Sequence, residues 1–81
     1  MKSEQELMQA HLSARIARNN ARELLRIAVA TEALARRNKA DGIFEVARKA
    51  VADAELKVHA AELALQQAEE AIDRFDESNN G

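Results

Sequence analysis

Small and apolar residues recur along the chain at alternating steps of three and four, the spacing of one face of an α-helix. A first series runs through Leu7, Ala10, Ala14, Ala17, Ala21, Leu24, Ala28, Thr31 and Ala35. A second series, with one additional step of four near Val58, runs through Ile43, Ala47, Ala50, Ala54, Val58, Ala61, Leu65, Ala68, Ile72 and Phe75. We expect the two series to face each other as the seam between two helices.

Start and stop signals divide the chain into two helices of similar length. Ser3-Glu4-Gln5-Glu6 has the form of a capping box, and the segment 38–42 is rich in turn-forming residues. We predict helix 1 over about 4–39, a turn over about 40–42, helix 2 over about 43–76 and a frayed tail over 78–81. Asp41 or Gly42 is expected to cap the second helix.

Asn19-Asn20 leaves one alternative open. Asparagine is a poor residue for a helix interior, and Asn20 with Glu23 resembles a second capping box. A break there would produce three helices instead of two.

The two alanine columns indicate how the helices pair. In an antiparallel hairpin, facing residue numbers have a constant sum, and Ala35 with Ala47, or Ala28 with Ala54, gives 82. The midpoint is Asp41, inside the turn signal. The sequence therefore predicts one all-α domain over 1–81, an antiparallel two-helix hairpin with an alanine-rich seam.

Apolar residues outside the seam predict self-association. An alanine seam buries little area, and a domain of 81 residues without cysteine has no disulfide to stabilise it. We expect a homodimer that forms a four-helix bundle, although part of this surface could instead bind another protein. Asn20 would set the register, unless it stays hydrated at the interface edge. The interface candidates are Met8, Leu12, Ile16, Asn20, Ile27, Leu34, Leu56 and Leu63.

Candidate chemistry is sparse. The chain has no cysteine nucleophile and no glycine-rich phosphate loop. His59 shares a helix face with Glu55 and Glu62, a combination that could bind a metal. However, the spacing His-x-x-Glu occurs once in the chain and faces away from the alanine seam. We therefore expect no catalytic residue, no metal and no cofactor.

Charge is distributed unevenly between the two halves. Residues 1–40 carry eight basic and four acidic groups, a net +4, whereas residues 41–81 carry four basic and ten acidic groups, a net −6. Antiparallel pairing would bring the two stripes together as salt bridges, or the arginines could follow a phosphate backbone. The partner-binding candidates are Arg15, Arg18, Arg22, Arg26, Glu55, Glu62, Glu69, Glu70 and Asp73.

The pattern of alanine heptads in a short helical hairpin resembles the plasmid copy-number RNA-binding proteins of the Rop type, which dimerise into antiparallel four-helix bundles. That resemblance implies RNA or DNA binding as one function. Short helical chains without a catalytic site are also frequent among phage and mobile-element inhibitors of host proteins. We favour a non-enzymatic, cytoplasmic, dimeric regulator that blocks a partner protein, with nucleic-acid binding or a structural coiled coil as alternatives. No membrane association is expected.

Overall fold

The computed structural model describes residues 3–80, with side chains described for residues 3–78. Helix α1 spans Glu4–Arg37 and helix α2 spans Asp41–Asn80. The two pack side by side along their lengths as a rod measuring 61 × 15 × 14 Å. The predicted all-α hairpin is confirmed. Helix α1 continues through Asn19-Asn20, so the three-helix alternative was wrong, because packing on both sides of this pair overrides its weak helix propensity.

The start of α1 follows from its cap. Ser3 has extended backbone angles, and its Oγ accepts a hydrogen bond from the amide of Glu6 at 3.2 Å. Glu4 and Glu6 lie in the first turn and Arg36 and Arg37 in the last. Each charge thus opposes the partial charge of the nearer helix end.

The turn differs from the prediction, which placed it at about 40–42. Helix α1 ends at Arg37, and Lys39 adopts a left-handed conformation with φ of 56°. The amide of Lys39 donates to the carbonyl of Arg36 at 3.3 Å, and that of Ala40 to the carbonyl of Ala35 at 2.9 Å. These two bonds form a Schellman motif.

Helix α2 is longer than predicted at both ends. It begins at Asp41, not at about 43, because the amide of Phe44 already donates to the carbonyl of Ala40 at 2.8 Å. Asp41 and Gly42 therefore lie within the first turn and neither precedes the helix. The segment 78–80, predicted to be frayed, is helical, and Gly81 lies outside the described residues.

The turn geometry predicts two stabilising substitutions. Lys39→Gly should raise the free energy of unfolding by about 1 kcal/mol, because a left-handed residue with a Cβ is strained. Gly42→Ala should add about 0.5–1 kcal/mol, because a Cβ there would meet no atom within 4 Å and alanine favours a helix. Urea denaturation followed by circular dichroism measures both. Lys49→Gly, in the exposed interior of α2, is the control and should destabilise; a lower midpoint for Lys39→Gly would contradict the assignment of the turn.

The alanine columns form the centre of the seam, as predicted. Seven described residues form the buried core, and five of them are alanines spaced by heptads. They are Leu7, Ala21, Ala28, Ala35, Ala47, Ala54 and Leu65. Such a core brings the two backbones close but removes little apolar surface from water.

The residues predicted to complete the seam beside the alanine columns were partly wrong. Ala17, Leu24 and Thr31 of α1 are exposed, as are Ile43 and Ala50 of α2. The residues that directly follow these five are half-buried instead, namely Arg18, Leu25, Glu32, Phe44 and Val51. The α2 seam from Phe44 onward therefore alternates three and four without an additional step. Polar residues can occupy it because long side chains lay their stems over apolar surface while their charged ends reach water.

Candidate interaction faces

Two grooves on one side of the hairpin define what we call the apolar face. The first, near the turn, has a volume of about 440 Å³, with Leu24, Ile27, Ile43 and Val46 among the residues that line it. The second, of about 320 Å³, lies near the open end, where α1 begins and α2 ends, and Ala10 and Ala64 contribute to its lining. Ala10 and Ala64 each lie two heptads from a residue lining the first groove, Leu24 and Ala50. Both grooves therefore open on the same side.

The apolar face follows one regular line on each helix. On α1 the line steps by three and four through Ala10, Ser13, Ala17, Asn20, Leu24, Ile27, Thr31 and Leu34. On α2 it runs through Ile43, Val46, Ala50, Asp53, Lys57, Ala60, Ala64, Gln67 and Ala71. The α1 line carries no charge, and the α2 line carries only the pair Asp53 and Lys57.

Side-chain size is uneven along the apolar face. The large residues Leu24, Ile27, Leu34, Ile43 and Val46 lie in the half nearer the turn, and each is at least half exposed. Towards the open end the face is built mainly of alanine. One half of the face is thus raised and the other is recessed.

The predicted interface residues do not form one surface. Ile27 lines the groove near the turn. Asn20 and Leu34 lie seven residues before and after Ile27, on the same face of α1. Met8 and Leu12 line a separate groove with His11 and Arg15. Ile16, Leu56 and Leu63 are exposed and line none of these grooves. The sequence did not identify Leu24, Ile43 and Val46 as exposed residues of this face. A regular heptad starting at Phe44 would have identified Ile43 and Val46.

The opposite side of the hairpin, which we call the charged face, bears a cleft of about 320 Å³. Arg22 follows the buried Ala21 by one residue, whereas Leu24 follows it by three, so the two project to opposite sides of the seam. The cleft is lined by Arg18, Arg22, Glu62, Leu65, Gln66, Glu69, Glu70 and Asp73. The structure therefore brings two predicted arginines together with four of the five predicted acidic residues; Glu55 is exposed on α2 and does not line the cleft.

Ion pairing across the seam is limited. Arg22 Nη2 lies 3.9 Å from Glu62 Oε2, and both side chains are about half exposed. Exposed pairs of this kind contribute roughly 0–1 kcal/mol. Arg18 instead donates to Asn19 Oδ1 at 3.1 Å. Within residues 3–78, Arg22–Glu62 is the sole ion pair that joins the two helices.

The remaining arginines have partners near them in sequence. Arg26 Nε donates to Glu23 Oε2 at 3.1 Å, and this hydrogen bond lowers the pKa of Glu23 and raises that of Arg26. Arg36 donates to Glu32 at 3.2 Å, and its guanidinium carbon lies 5.3 Å from the centre of the Phe44 ring. Arg15 lies in the groove with Met8 and Leu12. The arginines therefore do not act as one uninterrupted basic stripe.

His59, considered as a metal ligand with Glu55 and Glu62, is exposed. Among the described side chains, no group of three histidine, aspartate or glutamate residues could hold a metal ion. No polar or charged residue in the described part of the chain is buried. The acidic and basic groups described here are thus hydrated surface groups.

No helix in the described range is long and apolar enough to cross a membrane. A scan against protein-family models, a search of curated proteins and a search of solved structures each find no match for this chain.

Proposed function

We propose that the chain is a non-enzymatic, dimeric helical module that binds a partner protein through its charged face and so sequesters or blocks that partner. The observation that carries this proposal is the division of the hairpin into an almost uncharged face and an opposite face bearing the charged cleft. An apolar face of this extent favours association, and a charged face gives specificity. The most concrete form is an inhibitor of a host protein, encoded by a phage or mobile element.

Burial supports a binding role over a catalytic one. Catalytic acids, bases and nucleophiles usually acquire their reactivity from burial in a cleft that excludes water. Every ionisable side chain described here is exposed or half-buried, and the hydroxyl of Thr31 donates to the backbone carbonyl of Ile27 at 2.9 Å. Charged groups at this degree of exposure are suited to contacts with a macromolecule, which supports the binding role.

The balance of charge in the cleft indicates the chemistry of the partner. Two arginines face four carboxylates, and Glu69 and Asp73 form no ion pair within residues 3–78. A basic protein surface would complement this excess, and such surfaces are common where proteins bind nucleic acid. The module would then compete with nucleic acid for its partner.

Neutralising the cleft tests the proposal. We expect Glu69→Gln/Asp73→Asn to weaken capture of the partner from a host extract by at least about tenfold, because two charge complements are lost. Glu45→Gln/Glu77→Gln removes the same charge from exposed sites outside the cleft and should bind like the parent. Titration with the captured protein, once identified by mass spectrometry, supplies the dissociation constants. Equal binding by both variants would refute the charged face as the binding site.

Nucleic-acid binding is the competing outcome. We expect no submicromolar binding to an RNA hairpin or a DNA duplex, because Arg22, Arg26 and Arg36 already contact carboxylates. Fluorescence anisotropy at about 50 and about 200 mM salt tests for nucleic-acid binding, since binding to phosphates weakens steeply over this range. Tight, salt-sensitive binding by the parent protein would replace the protein-binding proposal with the Rop-like one.

A further inference from the structure

We propose that a second copy of the chain covers the apolar face, with the two turns at opposite ends of the complex and a two-fold axis crossing α2 between Asp53 and Lys57. This inference specifies the dimer assumed in the proposed function and rests on it in that respect.

The buried core of the hairpin is small, so burial of the apolar face would supply stability that the core alone does not. Of the seven buried core residues, five are alanines. Among residues 3–78, eleven large apolar side chains are exposed, by 46% to 70%, and five of them lie on the apolar face. Burying those five against a second helical pair would supply the apolar contacts that the alanine seam lacks.

The uneven size along the face determines the orientation of the second copy. The raised half holds Ile43 and Val46 near the turn, and the recessed half holds Ala60 and Ala64 nearer the open end. With the turns at opposite ends, each raised half fits onto the partner's recessed half. With the turns at the same end, the two raised halves would face each other and overlap. The two recessed halves would also face each other and leave a gap in the bundle.

The two charges on the face select the same orientation. When the turns lie at opposite ends, α2 runs antiparallel to the partner's α2, and an axis at the level of residue 55 sets Asp53 beside the partner's Lys57 and Lys57 beside the partner's Asp53. When the turns lie at the same end, α2 faces the partner's α1, whose line on this face has no charged residue. Both charges would then be desolvated against apolar side chains, with no opposite charge on the partner and only each other, one turn apart on α2.

The same axis determines which residues of α1 meet. It places Ile27 beside the partner's Ile27, and Leu34 beside the partner's Asn20. The axis lies about five residues from the centre of α2, so each open end would overhang the partner by roughly 16 Å at 1.5 Å per residue. The two charged faces would point outward on opposite sides of the bundle and remain accessible.

Cysteine cross-linking tests this arrangement, since the chain has no cysteine of its own. We expect Ile27→Cys to form a disulfide-linked dimer in air, because its copies meet at the axis. Val46→Cys alone and Ala64→Cys alone should not cross-link, but a mixture of the two proteins should, because residue 46 of one copy faces residue 64 of the other. Non-reducing electrophoresis and mass spectrometry identify the products.

Cross-linking of Val46→Cys with Leu34→Cys, together with no linking of Val46→Cys with Ala64→Cys, would show the turns at the same end and overturn the proposal, because α2 would then face the partner's α1. So would light scattering that reports the mass of one 9.0 kDa chain for the helical parent protein at tens of micromolar.

A charge exchange provides a second, independent measurement. Asp53→Lys should weaken dimerisation by about tenfold in sedimentation equilibrium, because it would meet the partner's Lys57. Asp53→Lys/Lys57→Asp should restore it, since the exchange keeps opposite charges both across the axis and at the four-residue spacing within α2. Failure of the double variant to recover would refute the axis. If the protein is a monomer yet Glu69→Gln/Asp73→Asn still loses partner capture, the charged-face function stands without this dimer.

Discussion

Leu65→Ala is expected to lower the free energy of unfolding by about 2–5 kcal/mol. Leu65 is 6% exposed and is one of two leucines in a described core that otherwise consists of alanine. Because Leu65 is one of the two large side chains in this core, its truncation removes a large share of the buried apolar contacts. A loss of this size is comparable to the whole stability of a small domain.

Urea denaturation at a fixed protein concentration, followed by circular dichroism, measures the effect of Leu65→Ala. Leu63→Ala is the matched control, because Leu63 lies two residues away on the same helix and is 46% exposed. It should cost less than about 1 kcal/mol. Equal midpoints for the two variants would show that Leu65 is not a core residue.

Ala28→Leu should cost about 1–3 kcal/mol by overpacking the seam. Ala28 is buried in the alanine column of α1, and the facing column of α2 contains the buried Ala47 and Ala54. A leucine there requires the helices to separate or adopts a strained rotamer. Ala21→Leu and Ala54→Leu should behave similarly.

The control for overpacking is Ala33→Leu, five residues along α1 at an exposed position. Its effect should stay within about 0.5 kcal/mol, because alanine and leucine have similar helix propensities and no neighbour is displaced. Thermal and urea midpoints of the two variants make the comparison. A higher midpoint for Ala28→Leu would show that the seam is loosely packed and has room for a larger side chain.

The hairpin and its alanine columns could be predicted because two independent patterns coincide. Heptad spacing identifies the column through Ala21, Ala28 and Ala35, and the turn signal fixes the antiparallel pairing. Neither pattern depends on which neighbouring positions complete the seam, so errors there leave the fold unchanged.

The second edge of the seam could not be predicted, because both flanks of the alanine column are compatible with a heptad. Apolar content favoured Leu24, but packing covers in part the flank that contains Leu25, Arg18 and Glu32, which are half-buried. Tertiary contact between two helices decides between such flanks, and the polarity of Arg18 and Glu32 concealed the result. The misassigned Leu24 and Ile43 were consequently absent from the predicted interface.

The charged cleft was partly predictable. Antiparallel geometry correctly placed Arg18 and Arg22 near the acidic residues of α2. It could not indicate that Arg26 and Arg36 would bond to glutamates one turn earlier in α1, since rotamers of exposed side chains are not encoded by spacing. The turn was predicted at about 40–42 because glycine favours turns and Gly42 lies there. In the structure, however, Lys39 adopts the left-handed conformation.

The placement of the start of α1 and the end of α2 at one end of the rod has a mechanical consequence. A tensile force applied between those two points would load the layer nearest the open end first, and the seam would open heptad by heptad at low force. A force applied between the turn and the open end would run along the helix axes, load backbone hydrogen bonds and all layers of the seam together, and meet higher resistance. The hairpin is therefore mechanically anisotropic, compliant to peeling from its open end and stiff along its length.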